Sequence, residues 1–275
     1  MSSILTNHLY TIMTIHIIMN SETKGASIKV MEATIGQTVA DVGELFDSLG
    51  IKPMDVFSRD NKKYTHKNEN GDKRCSTWTM SNGTAWDCPA LHLGLCKMPC
   101  YGFEGFFVMD DVKTNKHFQG LVMNIADAEW LFKAIKHGAT NKRLAKGNEL
   151  LALRLNEVSD LTQPLLDKWC DVCEMLLADE QTRHIQVFTY TKMFHLDFSR
   201  VAKLPNFCIN ASESEEPLYE GGNCFNAKKS EDMAKIVETD TVKICNCDIN
   251  CGMGFCGHCY RDNGFIINEE LRFDD

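Results

Sequence analysis

LLALRLNEVSDLTQPLLDKWCDVCEMLLADEQTRHIQVFTYTK, residues 150–192, is the stretch from which the architecture follows. Its opening, LLALRLNEVSD, reads as a strand running into a loop, with Asn156, Glu157, Ser159 and Asp160 at its carboxyl end. Pro164 then opens a helix through Leu177, in which Leu165, Leu166, Trp169, Val172, Cys173 and Leu176 make an apolar stripe. HIQVFTYTK returns as a second strand. Strand, helix and strand at this spacing predict a βα unit with parallel pairing.

Further out, the same alternation continues. Upstream, DAEWLFKAIKHG reads as a helix with Asp127 as cap, Glu129 in its first turn, Lys136 and His137 near its end and Gly138 as its stop. Downstream come a short helix-like stretch through Arg200, the strand NFCINASES, a helix near 228–237 and a last strand, VKICNCD. The expected fold class is therefore α/β: a largely parallel βα sheet, open or curled into a partial, irregular TIM-like barrel, with cysteine-rich loops. Ligand sites in such folds lie at the carboxyl ends of strands. The polar clusters 156–160, 189–192 and 210–213 all fall at that edge.

The amino-terminal quarter carries less pattern. Residues 1–18 read as an appendage, 19–74 as an αβ extension and 75–275 as the main domain. Tyr10 to Met19, almost all of it in the appendage, is β-like; in the extension ASIKVMEA is a second short run of the same kind, and Val39, Val42, Leu45, Phe46 and Leu49 recur at helical spacing before Gly50. Ser58 to Arg74 is polar and reads as a solvated loop.

A chain of 275 residues with 44% hydrophobic content buries a full core. Its formal charge of -9, with no dense basic stripe, weighs against a protein that coats nucleic acid. No apolar run reaches the length of a membrane span; the nearest, LYTIMTIHIIM, is broken by His16. The start lacks a positively charged segment and a small-residue cleavage site, which points to a reducing, cytoplasmic compartment. There, 13 cysteines are poorly explained by disulfides.

Eight of those cysteines form two knots: Cys88, Cys96 and Cys100, and then Cys245, Cys247, Cys251, Cys256 and Cys259. Glycines and prolines keep the backbone turning around both, as a thiolate metal site requires. Cys88, Cys96 and Cys100 supply the three thiolates of a cluster with one exchangeable iron; Cys247, Cys251, Cys256 and Cys259 make a closed set, with Cys245 as an alternate. Both knots on one centre is a further arrangement. Zinc accepts the same spacings, with His92 or His258 as a nitrogen ligand. Cys170, Cys173, Cys75, Cys208 and Cys224 read as structural thiols, with Cys75, which precedes the first knot, as the one suited to be a spare ligand.

Glu157 and Asp160 are the carboxylates suited to proton transfer or to holding a cofactor amine or ribose. Tyr190 and Lys192 share one side of their strand and complete the candidate catalytic set, while Asn156, Asp160, Asn210 and Glu213 form the candidate cofactor-binding set.

The ordered motifs TWTMSNGTAWDCPAL, LCKMPCYG, LRLNEVSD, VFTYTK and INASES, with the terminal cysteines, resemble the phage gene product 88 family over about residues 75 to 260. That family is similar to radical S-adenosylmethionine proteins, which hold a [4Fe–4S] cluster at the top of a parallel βα barrel. The resemblance implies a viral metalloprotein of the host cytoplasm, one or two iron–sulfur clusters, S-adenosylmethionine as cofactor, and roles for Cys88, Cys96, Cys100, Asp160, Tyr190 and the terminal cysteines. The spacing departs from C-x3-C-x2-C, because Phe103 stands at the third position. The competing expectation is a non-enzymatic, zinc-stabilised protein whose partner is a host or viral protein rather than nucleic acid or membrane.

Overall fold

Residues 22–34, 41–52, 56–58, 65–67, 73–96, 100–141, 149–228, 232, 234–245, 264 and 266–270 are described by a computed structural model of the chain. The sheet has eight strands in the order β1-β2-β3-β4-β5-β6-β8-β7. They are β1 (Thr65–Lys67), β2 (Lys73–Met80), β3 (Glu149–Leu155), β4 (Gln186–Thr191), β5 (Phe207–Ser212), β6 (Asn223–Lys228), β7 (Val242–Cys245) and β8 (Ile266–Glu270). Among the described strands, β1 and β2 pair antiparallel and the other strand pairs are parallel, as the βα spacing predicts. Among the described residues no pairing joins β7 back to β1 or β2, so the sheet described is open.

The registers Met80↔Leu155, Thr191↔Ala211 and Ser212↔Phe225 bring the ends of β2 to β6 to one edge. Helices α1 (Glu22–Thr34), α2 (Val42–Ser48), α3 (Pro89–His92), α4 (Asp110–Ile125), α5 (Ala128–Thr140) and α6 (Gln163–Ala178) complete the fold. No helix among the described residues is long and apolar enough to cross a membrane.

The period-two alternation of the strands sorts their residues onto two faces. Trp78 and Met80 of β2, Leu153 and Leu155 of β3, Val187 of β4 and Phe207 and Ile209 of β5 join one hydrophobic cluster with the helices. Helix α6 contributes the stripe read from the sequence, with Leu165, Leu166, Trp169, Val172, Cys173 and Leu176 all buried. Each such aliphatic side chain withdrawn from water contributes roughly 1.5–3 kcal/mol. Cys170 and Cys173 are core thiols, as their place on that stripe implies. The opposite face alternates Thr77, Thr79, Arg154, Phe188, Tyr190, Cys208 and Asn210, a polar and aromatic surface leading up to the carboxyl edge.

Several expectations need correction. ASIKVMEA belongs to α1, not to a strand: Ile28 and Met31, one helical turn apart, are the residues that enter the core. The stretch 58–74 is not wholly a solvated loop, since Ser58 bridges to Thr79 and β1 pairs with β2. Of the helix expected at 228–237, Lys228 belongs to β6 instead, Asp232 is helical, and residues 234–235 are in a turn followed by irregular chain to 240; 229–231 and 233 lie outside the described residues. Gly138 does not stop α5, whose N-cap is Asp127 as expected and which continues to Thr140. Helix α4 has no forerunner in the sequence reading, because its polar first half, DDVKTNKH, hides the buried run Phe118 to Met123.

Gly120 fixes how α4 sits on the sheet. A Cβ there would lie 2.5 Å from the Gly83 nitrogen, and Gly83 itself holds a left-handed φ of 94°. Two glycine backbones thus meet where the chain leaves β2.

Candidate functional site

The segment leaving β2 is pinned from several directions. Ser81 N–H donates to Gln119 Oε1 of α4 at 3.2 Å, and Gln119 Nε2 in turn donates to Val56 O and Ser58 Oγ. Asn82 Nδ2 donates to Asp160 O at 3.2 Å, tying this exit to that of β3. Thr84 then caps a short 3-10 turn by donating from its backbone N–H and its hydroxyl to Asp87. Cys88 follows on this fixed frame.

Cys88 is buried and packs with Ala90 and Met193, against Leu91, Cys96 and Leu196. Burial pushes its thiol up to about 12, and the amides of Leu91 and Ala90 pull the other way while the charges of Asp160 and Cys96 add to the rise. Cys96 and Cys100 are half-buried. Burial raises the Cys96 thiol; Lys192 opposes that rise, and Cys100, Asp160 and Glu213 reinforce it. Gly102 lies close behind: a Cβ there would be 2.8 Å from Ala85 Cβ and 3.4 Å from Cys100 Sγ.

The loop after β3 carries the other half of the site. Asn156 and Ser159 hold left-handed φ values of 52° and 75°. Asn156 N–H donates to Met80 O at 2.7 Å and Val158 N–H to Ser81 Oγ at 3.3 Å, which locks this loop onto the β2 exit. Glu157 turns inward, where Lys116 Nζ of α4 lies 2.6 Å from Oε2 and Thr79 Oγ1 donates to the same oxygen. Burial pushes the Glu157 carboxyl up, but the charges of Lys116 and Arg154 and these hydrogen bonds outweigh it and hold it below its ordinary value.

Asp160 accepts from Thr191 Oγ1 and the Leu161 amide on one oxygen and from the Lys192 amide on the other. Burial still pushes it to about 6. Lys192 Nζ pairs with Glu213 Oε2 at 2.7 Å, and Glu213 is the third non-glycine residue with a left-handed φ, 57°. Residues forced into this region cluster where a scaffold over-determines a site.

Comparison with known proteins gives no match to a family model, to a curated protein or to a solved structure. The geometry alone places the sequence candidates.

Lys192 links Asp160, through its backbone N–H, to Glu213, through its Nζ, and the charges of Lys192, Cys100, Asp160 and Glu213 all reach Cys96, as those of Asp160 and Cys96 reach Cys88. Glu157 lies in the same loop but is committed to Lys116. Tyr190 is lower on the sheet face, its ring 5.1 Å from the Arg154 guanidinium and 4.7 Å from the Phe225 ring. Asn210, of the candidate cofactor-binding set, donates its amide to Thr189 O and accepts from Asn223 Nδ2 across the strands. His92 Nε2–H donates to Trp86 O at 2.8 Å, which removes that nitrogen from the zinc alternative.

Among the described residues, no group of three or more His, Cys, Asp or Glu side chains is gathered closely enough to hold a metal ion. Cys247, Cys251, Cys256, Cys259 and His258 lie outside the described residues; Cys245 ends β7 opposite Glu269, at the sheet's carboxyl edge. The donor chemistry of Cys88, Cys96 and Cys100 fits a soft metal. Lys116, Thr79, Ser159 and Thr191 belong to the site without having been singled out as its functional residues. For Lys116, nothing in the spacing of α4 announces an inward-facing cation.

Proposed function

We propose that this chain is a metalloprotein that takes an iron–sulfur centre on Cys88, Cys96 and Cys100 and a small molecule beside it, at the carboxyl edge of its parallel sheet. One observation carries this reading: Cys96, half-buried, packs against the cluster that holds Cys88 and feels the charges of Cys100, Lys192, Asp160 and Glu213. Three thiolates on one loop suit a cluster that keeps one iron exchangeable, and such a centre supplies electron transfer to a ligand bound there. Lys192 would offset the negative charge that thiolate ligation brings into a half-buried place. Asp160, fully supplied with donors, would hold Thr191 and the Lys192 backbone in position. The resemblance to phage gene product 88 and radical S-adenosylmethionine proteins supports the same chemistry, with the terminal cysteines as a second ligand set.

Anaerobic purification with iron, sulfide and zinc quantified per chain tests the proposal. About four or about eight iron and matching sulfide are expected. Cys96→Ser or Cys100→Ser should lower the iron content, and Cys170→Ser should leave it unchanged. Full metal retention in variants of both knots would overturn the ligand assignment. S-adenosylmethionine added to iron-loaded protein then tests the radical reading.

A second reading, a zinc-stabilised protein that binds a host or viral protein, draws on Leu93 at 57% and Phe194 at 45% exposure. Each lies one or two residues in sequence from a member of the cluster around Cys88, Leu91 and Met193 respectively, and exposed apolar side chains suit a protein partner. Stoichiometric zinc without sulfide would favour it.

A further inference from the structure

A polar group closed off from water without a partner is destabilising, and a side chain with two such groups marks a place that something else completes. Asn156 is 4% exposed, and its Nδ2 and Oδ1 are both buried with no hydrogen-bond partner. Three residues on, the Ser159 hydroxyl is in the same state.

The surrounding frame is bonded. Asn156 N–H reaches Met80 O, Val158 N–H reaches Ser81 Oγ, Glu157 holds Lys116 and Thr79, and Asp160 holds Thr191 and Lys192. The carboxamide and the hydroxyl are thus held by their neighbours and make no bonds of their own. They stand at a strand's carboxyl end, where this class of sheet binds its ligands.

We propose that Asn156 and Ser159 form a recognition subsite for a primary carboxamide. A carboxamide presents a donor and an acceptor side by side, which is the complement of the two open groups of Asn156, and its second N–H is left for the Ser159 hydroxyl. The ligand group is uncharged because the nearby lysines are already paired, Lys116 with Glu157 and Lys192 with Glu213, and the neighbouring Asp160 accepts from three neutral donors. An ionised group would have to break one of these pairs or remain buried without a counter-ion. The subsite goes beyond the metal reading, since it needs no thiolate.

Acetamide, nicotinamide and L-glutamine are the probes, with acetate, nicotinate and L-glutamate as matched acids, followed by calorimetry and thermal shift on the full chain. At least one carboxamide should bind, and bind tenfold or more tightly than its acid; which one does so identifies a free small amide, an aromatic amide or an amino-acid amide. Asn156→Gly accepts the φ of 52° and should keep the fold by circular dichroism while weakening that binding at least tenfold. Asn156→Asp, which keeps the shape and loses the donor, serves the same purpose if the glycine variant does not fold. Binding unchanged in the folded variant, or no binding of any carboxamide to the parent chain, would mean that ordered water alone completes Asn156, and would overturn the proposal. Metal is quantified on the same samples, so loss of the metal reading and loss of the subsite are separate results.

Discussion

Lys116, from the middle of helix α4, places its Nζ 2.6 Å from Oε2 of Glu157, and the two side chains are only 5% and 9% exposed. This ion pair joins the helix that follows the cysteine loop to the loop that ends β3. Removing one partner leaves the other charge buried alone, which costs about 3–5 kcal/mol, whereas replacing both by apolar groups is often tolerated. Lys116→Met and Glu157→Gln should each lower urea stability by that order, and the Lys116→Met/Glu157→Leu double variant should recover much of the loss. Equal, additive losses would show that the two residues do not act as a pair. The depressed Glu157 value also sets a sign: its contribution is present above the unfolded-state value and is lost as pH falls through the folded one.

Gly120→Ala tests whether the α4 contact positions the cysteine loop. The added methyl would meet the Gly83 nitrogen at 2.5 Å and its Cα at 2.7 Å, backbone atoms that cannot swing aside. Overpacking of this kind costs about 1–3 kcal/mol. Beyond lower stability, faster hydrogen exchange is expected at 81–88, next to Cys88; exchange unchanged there would separate the helix contact from the loop.

The parallel sheet was legible in the sequence because its strands are short, apolar and separated by a helix as regular as α6. Asp127 and Pro164 marked helix starts with their own chemistry. The α1 segment is not legible in the same way, because ASIKVMEA is too short to separate a strand from a helix by pattern, and packing of Ile28 and Met31 decides it. At the site, strand ends point to Asp160, Lys192 and Glu213, and Lys192 bonds to the other two. Asn210 and Glu157 drew the same attention, yet their bonds go to Thr189 and Lys116. Those partners come from distant segments, and no local spacing encodes them.

His117 connects the amino-terminal helix to the cysteine loop. Its Nε2–H donates to Glu32 Oε1 of α1 at 3.0 Å, and its Nδ1 lies 3.9 Å from Asp87 Oδ2, the residue before Cys88. Burial works against the imidazolium, but the two carboxylates win and raise the His117 value above 6.5. A raised value means that the stabilisation is complete below the unfolded-state value and is lost as pH rises through the folded one. Limited proteolysis should therefore release α1 more readily at pH 8 than at pH 6, and His117→Gln should flatten the difference. A His117→Gln protein as pH-sensitive as the parent would assign the effect elsewhere.

Lys168 gives the opposite slope. Its Nζ, reaching from α6, donates to Met123 O at 2.7 Å and Asn124 O at 3.2 Å, carbonyls in the last turn of α4. The helix end favours the cation, but burial dominates and lowers the lysine to about 8, with Asp127 opposing. The fold thus bears the full penalty below about 8, and between there and the unfolded-state value the unfolded chain binds more protons. Stability should rise with pH across that window, by at most about 3 kcal/mol at 1.36 kcal/mol per unit. Urea unfolding of the parent and of Lys168→Met at pH 7 and pH 10 isolates this residue. The variant should lose the two carbonyl bonds yet gain less from the alkaline shift than the parent does. Parallel gains in the two proteins would show that Lys168 remains charged in the fold and that its carbonyl contacts, not its desolvation, govern its contribution.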